Sequence, residues 1–208
     1  MERSSVAGCL IVGALSTAGL VLALGGGSWI SHQPGAVCKP DQAIPTGYAR
    51  IGGPFDLTDQ NGRRVTARDL LGKPTLVFFG YTYCPEVCPT TLLRMSDWLV
   101  ALGADANRLN VVFITVDPQR DTPRQLHDYL LSFDPRIRGL TGTQQEIGHV
   151  ANEYGVFYKK ETLPGGSYDV QHSTVIYIMD AKGRYTGPIS YQEPPDNVIP
   201  MLRDLARG

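Results

Sequence analysis

At 208 residues the chain is long enough for one domain with a tail and too short for two full domains. Hydrophobic residues make up 42% and charged residues 19%, so it can bury an ordinary core. The formal net charge of −1, with Lys and Arg scattered along the chain, gives no basis for binding nucleic acid, which wants a basic face.

Residues 6–24 carry no charge and are dominated by Leu, Val, Ile, Ala and Gly. That is about the length a helix needs to cross a bilayer. Arg3 precedes the run and Trp29 follows it at headgroup depth. A cleaved signal peptide, cut near Ala23 and Gly25, is the alternative, but the run is longer than a typical signal core. Val6-Ala-Gly-Cys9 looks like a lipoprotein box yet stands too early. The expectation is an uncleaved anchor over residues 1–30, a linker over 31–50 rich in Gly, Pro and Ser, and a compact domain over 51–208. No Arg-rich presequence precedes the run, which argues against a mitochondrial precursor. The expected location is a bacterial inner membrane, crossed once, with the soluble domain in the periplasm.

Within the domain, residues 55–58 and 64–66 flank Asn61-Gly62, a hairpin signal with a slightly long loop. Strands of buried type are predicted at 75–79, 111–116 and 174–179. Helical spacing appears in Leu92, Met95, Leu99 and Leu102, with Pro89 at the first helical position. It recurs in Leu126, Tyr129, Leu130 and Phe133 after Thr122-Pro123, and in Ile147, Val150, Ala151 and Tyr154 after the capping box Thr143 to Glu146. A last amphipathic pattern runs through Val198, Met201, Leu202 and Leu205. Asp180-Ala-Lys-Gly183 turns the final long strand back over 184–187. Strands alternating with helices predict an α/β fold with parallel strands at its centre and an antiparallel return edge.

The chemistry concentrates at Gly80 to Leu92, GYTYCPEVCPTTL. A strand that delivers thiols to the mouth of a helix is the layout of a thioredoxin-like site, here spaced C-x-x-x-C. Cys88, followed by Pro89, is expected near helix N-terminal amides, which favour its thiolate. Cys84, four residues earlier, can bring its sulfur to the same side, and such a pair can form a disulfide or hold a soft metal. Of the other cysteines, Cys9 falls in the expected span and Cys38 in the linker. Of the four histidines, His32 sits in the linker, His127 off the apolar stripe of its helix, and His149 beside Val150 in a hydrogen-bonding role. His172 lies in a short polar stretch immediately before the strand 174–179, beside the cysteine loop in a thioredoxin-like sheet. Two Cys and one His suit copper by affinity order, and three protein ligands do not make a closed structural zinc site.

Taken in order, GYTYCPEVCPTTL, VDPQRDTP at 116–123 and His172-Ser before VIYIMD resemble the Sco/SenC family over residues 55–208. The resemblance implies a thioredoxin-like fold with an N-terminal β-hairpin extension and a single N-terminal transmembrane helix. It implies a copper chaperone, not an enzyme, that binds Cu(I) and Cu(II) through Cys84, Cys88 and His172. Its partner would be the copper-binding subunit of cytochrome c oxidase, whose dinuclear copper site the family helps to assemble, and other periplasmic copper chaperones are further partners. Asp117 matches a family aspartate near the site, and can equally be a turn residue ahead of Pro118. Tyr81 and Tyr83 are expected to pack around the pair, and Arg120 and Asp121 to fix the following helix and loop. Gln171 stands where the family usually has Asp, and Glu86 where Asp is more frequent; neither change removes a ligand.

The alternative is a thiol–disulfide oxidoreductase that reduces the oxidase cysteines, with Cys84 attacking and Cys88 resolving. Such reductases carry a proline just before the strand facing the site, where this chain has His172-Ser-Thr174. A peroxidase of peroxiredoxin kind fits less well, because the prolines lie behind Cys84 and not ahead of it.

Overall fold

The computed structural model describes residues 51–208. The chain enters through a hairpin, β1 (Asp56–Asp59) and β2 (Arg64–Thr66), and then runs β3 (Thr75–Gly80), α1 (Val87–Leu102) and β4 (Asn110–Thr115). It continues through α2 (Pro123–Leu130), β5 (Ile137–Thr141), α3 (Gln144–Glu153), a second hairpin β6 (Tyr158–Thr162) and β7 (Tyr168–His172), β8 (Val175–Met179), β9 (Tyr185–Ser190) and α4 (Pro195–Arg207).

Seven strands form one sheet in the order β2-β1-β5-β4-β3-β8-β9, and β6 with β7 makes a separate two-stranded sheet. The centre is parallel, with Phe78 opposite Phe113 between β3 and β4 and Phe113 opposite Gly139 between β4 and β5. β8 runs antiparallel to β3, and β9 returns antiparallel on β8. Every residue of β3 is buried, as is β4 after its first residue, so helices cover both faces of the sheet and the strands read as unbroken apolar runs. α4 packs against α1, α2 against β5 and α3 against β1. This is the α/β thioredoxin-like fold with the expected β-hairpin extension, β1 and β2 lying beyond β5 on one edge.

The helix starts follow local rules. Thr122 caps α2 by accepting from the Gln125 N–H, with Pro123 at the first position. At α3 the predicted capping box closes both ways: the Glu146 N–H reaches the Thr143 hydroxyl at 3.2 Å and the Thr143 N–H reaches the Glu146 carboxylate at 2.7 Å. α1 differs from expectation. It begins at Val87, which makes Pro89 its third residue and takes Cys88 into the first turn. Proline is tolerated there because the first turn's N–H groups have no helical partner.

The expected transmembrane helix is corrected, and with it the membrane-anchored form of the function and the single-pass inner-membrane location facing a periplasm. Among the described residues, no helix is long and apolar enough to cross a membrane. The run 6–24 itself lies outside the described residues, as do Cys9, His32 and Cys38.

Candidate metal centre

β3 ends at Gly80 beneath the cysteine turn, and the missing side chain there is a requirement. A Cβ on Gly80 would stand 2.7 Å from the Cys88 sulfur and 2.7 Å from the Phe113 ring. Cys88 fills that space and is wholly buried, whereas Cys84, on the turn before α1, is half-buried. Both are free thiols. The turn is anchored by Asp121, a fully buried carboxylate that accepts from the Thr82 N–H at 3.0 Å, the Thr82 hydroxyl at 2.6 Å and the Thr115 hydroxyl at 2.6 Å. Burial raises its pKa, and the Thr115 and Thr82 bonds oppose that rise.

The two sulfurs are not equivalent, and their order reverses the sequence expectation. The Cys88 N–H, at the helix N-terminus, points at the Cys84 sulfur at 3.4 Å. The hydrogen bond from Cys88, with further bonds from the Cys88 and Glu86 backbone, outweighs burial and pulls Cys84 down to about 4. Burial, and then the bond to Cys84, push Cys88 well above the ordinary thiol value. The helix amides thus serve the cysteine outside the helix, and the first thiolate belongs to Cys84.

His172 arrives from the other side. It is the last residue of β7, paired across the hairpin with Tyr158, where the sequence reading expected a loop. Its Nδ1 lies 2.8 Å from the Ser173 carbonyl, which can only accept, so Nδ1 carries a proton and Nε2 is left to face the sulfurs. Nε2 stands 3.4 Å from the Cys88 sulfur. Tyr81 meets the imidazole edge-on, with 5.7 Å between ring centroids, and Phe78 does so at 6.5 Å. The donor atoms of Cys84, Cys88 and His172 all lie within 4.8 Å of one another. Two soft sulfurs and one imidazole nitrogen, with no carboxylate among them, form a donor set that fits copper.

The remaining candidates separate cleanly. Asp117 is fully buried and touches none of the three. Its carboxylate pairs with Arg120, takes a hydrogen bond from the Tyr168 hydroxyl at 2.9 Å and lies 3.1 Å from the Lys160 ammonium. Its carbonyl also accepts from the Arg120 and Asp121 N–H groups, so it shapes the turn as well. Tyr81 is buried and hydrogen-bonds Asp169, while Tyr83 is exposed. Burial, aided by the Asp169 bond, raises the Tyr81 pKa. His127 is exposed, as expected; His149 is exposed too, and its Nε2 lies 3.0 Å from the Pro54 carbonyl. Gln171 and Glu86 are exposed at the rim. Tyr168, Asp169 and Lys160 carry no sequence signal, because polar residues without apolar periodicity give no sign of a hairpin there, and Ser173 stands out only as the partner of His172 in the His172-Ser motif. Gly80, directly ahead of the cysteine motif, offered a readable sign of close approach.

Comparison with known proteins agrees with this geometry. A family model described as SCO1/SenC matches residues 44–207. The chain is 43% identical over 134 residues to the mitochondrial Protein SCO1 homolog 1 of Arabidopsis thaliana, covering 64% of this chain and 40% of that protein's length. It is 37% identical over 156 residues to the SCO2-like protein of Rickettsia felis, covering 74% of this chain and 76% of that protein. The solved structure of Bradyrhizobium japonicum ScoI with copper bound superposes with a TM-score of 0.72 at 48% identity, covering 74% of this chain and 99% of that one. The chain belongs to the SCO1/SenC family, copper-related proteins linked to cytochrome c oxidase assembly.

Proposed function

We propose that the chain is a copper carrier of Sco type, which takes up copper through Cys84, Cys88 and His172 and passes it to the copper-binding subunit of cytochrome c oxidase. The observation that carries this reading is the convergence of the three donor atoms, with the tautomer of His172 fixed so that Nε2 faces the sulfurs. Likeness to a Sco protein solved with copper bound supports copper binding in general. The two thiolates suit Cu(I), and the imidazole extends the site's tolerance to Cu(II). Delivery by ligand exchange consumes no substrate, so the role is that of a carrier and not of an enzyme.

The residues divide the work. Cys84, already ionised near neutral pH, is the first sulfur ready to bind. Cys88 must lose its proton as the metal enters, so loading releases protons. Ser173 holds the imidazole in the binding tautomer.

The test is copper stoichiometry and ultraviolet–visible spectra of the protein beside its His172→Ala variant. One copper per chain with sulfur-to-copper bands that collapse in the variant is the expected result. Weak binding, or bands indifferent to His172, would sink the carrier reading.

The asymmetry of the thiols favours one second reading, a thiol–disulfide oxidoreductase. The Cys84 thiolate would attack a partner disulfide, forming a mixed disulfide and releasing one partner thiolate. Cys88, after losing its proton, would then displace the second partner sulfur and close the Cys84–Cys88 disulfide. The partner gains two electrons and the pair loses two.

A further inference from the structure

The three donors come from two pieces of chain whose pairing in the main sheet stops short of them, since β3 pairs with β8 only as far as Phe78 opposite Ile176. Cys84 and Cys88 belong to the turn and first helix after β3, whereas His172 ends β7 in the separate hairpin sheet. The distance from imidazole to sulfur therefore depends on what holds that hairpin against the cysteine turn. Besides the imidazole's own contacts with Tyr81 and Cys88, two side-chain ties do so among the described residues. One is the hydrogen bond from Tyr81 to Asp169. The other is Arg120, on the loop between β4 and α2.

Arg120 touches every part that has to be brought together. Its guanidinium carbon lies 3.9 Å from the ring centre of Tyr168 on β7, 4.7 Å from that of Tyr83 and 5.6 Å from that of Tyr81, both on the cysteine turn. Its Nη1 donates to the Tyr168 carbonyl at 3.1 Å, and its Nε bonds the buried carboxylate of Asp117. Asp117 in turn accepts from the Tyr168 hydroxyl and pairs with Lys160 of β6. The remaining nitrogen, Nη2, is buried without a hydrogen-bond partner. An arginine that served only as a counter-ion for Asp117 could turn that group to water and recover the bond. Keeping it dry is the cost of laying the flat cation between rings from both pieces of chain.

We propose that Arg120 is a positioning residue for His172, its stacked guanidinium setting how far the imidazole stands from the two sulfurs. The proposal rests on the reading of His172 as a copper ligand. A lysine would keep the charge beside Asp117 but lose the planar stack and the fork to the Tyr168 carbonyl.

The test uses the full chain and follows loss of Cu(II) to a competing chelator through the absorbance of the copper–chelator complex, which can be read in every variant. Arg120→Lys is expected to lose Cu(II) about tenfold faster than the unmodified protein, the lower end of what removing a residue behind a ligand costs. In the metal-free protein, the amides of β6 and β7 are expected to exchange hydrogen faster. In a His172→Ala background, Arg120→Lys is expected to add nothing, because both changes act through one ligand. Tyr168→Leu should reproduce the effect with the Arg120–Asp117 pair left intact, which covers the case in which Arg120→Lys does not fold. Tyr168→Phe, which keeps the ring face, should restore retention.

Unchanged copper retention in both Arg120→Lys and Tyr168→Leu would overturn the proposal. So would an equal acceleration in the His172→Ala background, which would place the effect on the cysteine turn or on the fold at large. If His172→Ala alone leaves retention untouched, the ligand reading falls and takes the proposal with it, an outcome separable from the others by that single variant.

Discussion

Cys84 and Cys88 look interchangeable as letters in C-x-x-x-C, and their environments make them opposites. The half-buried sulfur receives the helix amide; the wholly buried one is denied water. The sequence correctly placed both at a strand-to-helix junction, but it gave the helix amides to Cys88, naming Cys84 as the attacking thiol only in the reductase alternative. Proximity to the helix start was legible, whereas the direction of the Cys88 N–H and the depth of its sulfur depend on where the helix begins, two residues earlier than Pro89 suggested. A measurable consequence follows for the metal-free protein. A thiol held down to about 4 stays ionised down to mildly acidic pH, and the thiolate is the nucleophile. Iodoacetamide should therefore still alkylate Cys84 at about pH 6, where an ordinary thiol of pKa ~8.5 is almost fully protonated. Mass spectrometry of the labelled peptide should show the rate falling only as the pH approaches the lowered value, with Cys88 unlabelled. Labelling that first appears above pH 8, or that favours Cys88, would contradict the assignment.

At the scale of elements, what could be read was whatever carried apolar periodicity or a cap. β3, β4 and β8 emerged as unbroken apolar runs, and α2 and α3 were found at their capping residues. β5 gives no strand signal, for its sequence IRGLT has a glycine at its middle. That glycine lets α2 lie close: a Cβ on Gly139 would meet the Leu130 side chain at 2.7 Å. The β6–β7 hairpin carries no sequence signal because Val170 is its only buried residue, and strands half-buried on both faces leave no alternation to detect. It is held by ions and rings instead, which sequence spacing does not reveal. The cap on α3 offers a clean separation of fold from site. Thr143→Ala removes one half of the capping box and should cost about 1 kcal/mol, seen as a lower thermal midpoint. Copper spectra should be unchanged, since α3 contributes no donor; altered spectra would mean that the helix governs the site.

For the molecule as a whole, acid should act through carboxylates that the fold holds below their usual range. Asp134 is held down by its bond from Arg136, Glu146 by the Thr143 N–H, Asp169 by Tyr81 and Asp180 by the Arg184 N–H. Each binds fewer protons folded than unfolded. Their contribution is therefore present above the unfolded value of about 4 and is lost as the pH falls through the depressed folded values. Asp121 has the opposite sign: burial raises its pKa, so whatever its protonation contributes is present at low pH and lost as the pH rises. With Asp69, held down by the Thr66 N–H, five groups against one predict that the urea midpoint of the metal-free protein drops between about pH 5 and pH 3. A midpoint that climbs over that interval would mean that relief of the buried Asp121 dominates.

The sealing of Cys88 behind Gly80 and Phe113 gives the centre a front and a back. In the carrier we propose, a receiving protein would meet Cys84 and the imidazole first, because the other sulfur has no exposed surface. Handover would then be an ordered exchange, with the outward ligands replaced first and the hidden sulfur the last to part. Such a centre would let go only when the incoming ligands are already in place, so the cargo would pass from hand to hand without being set adrift in water.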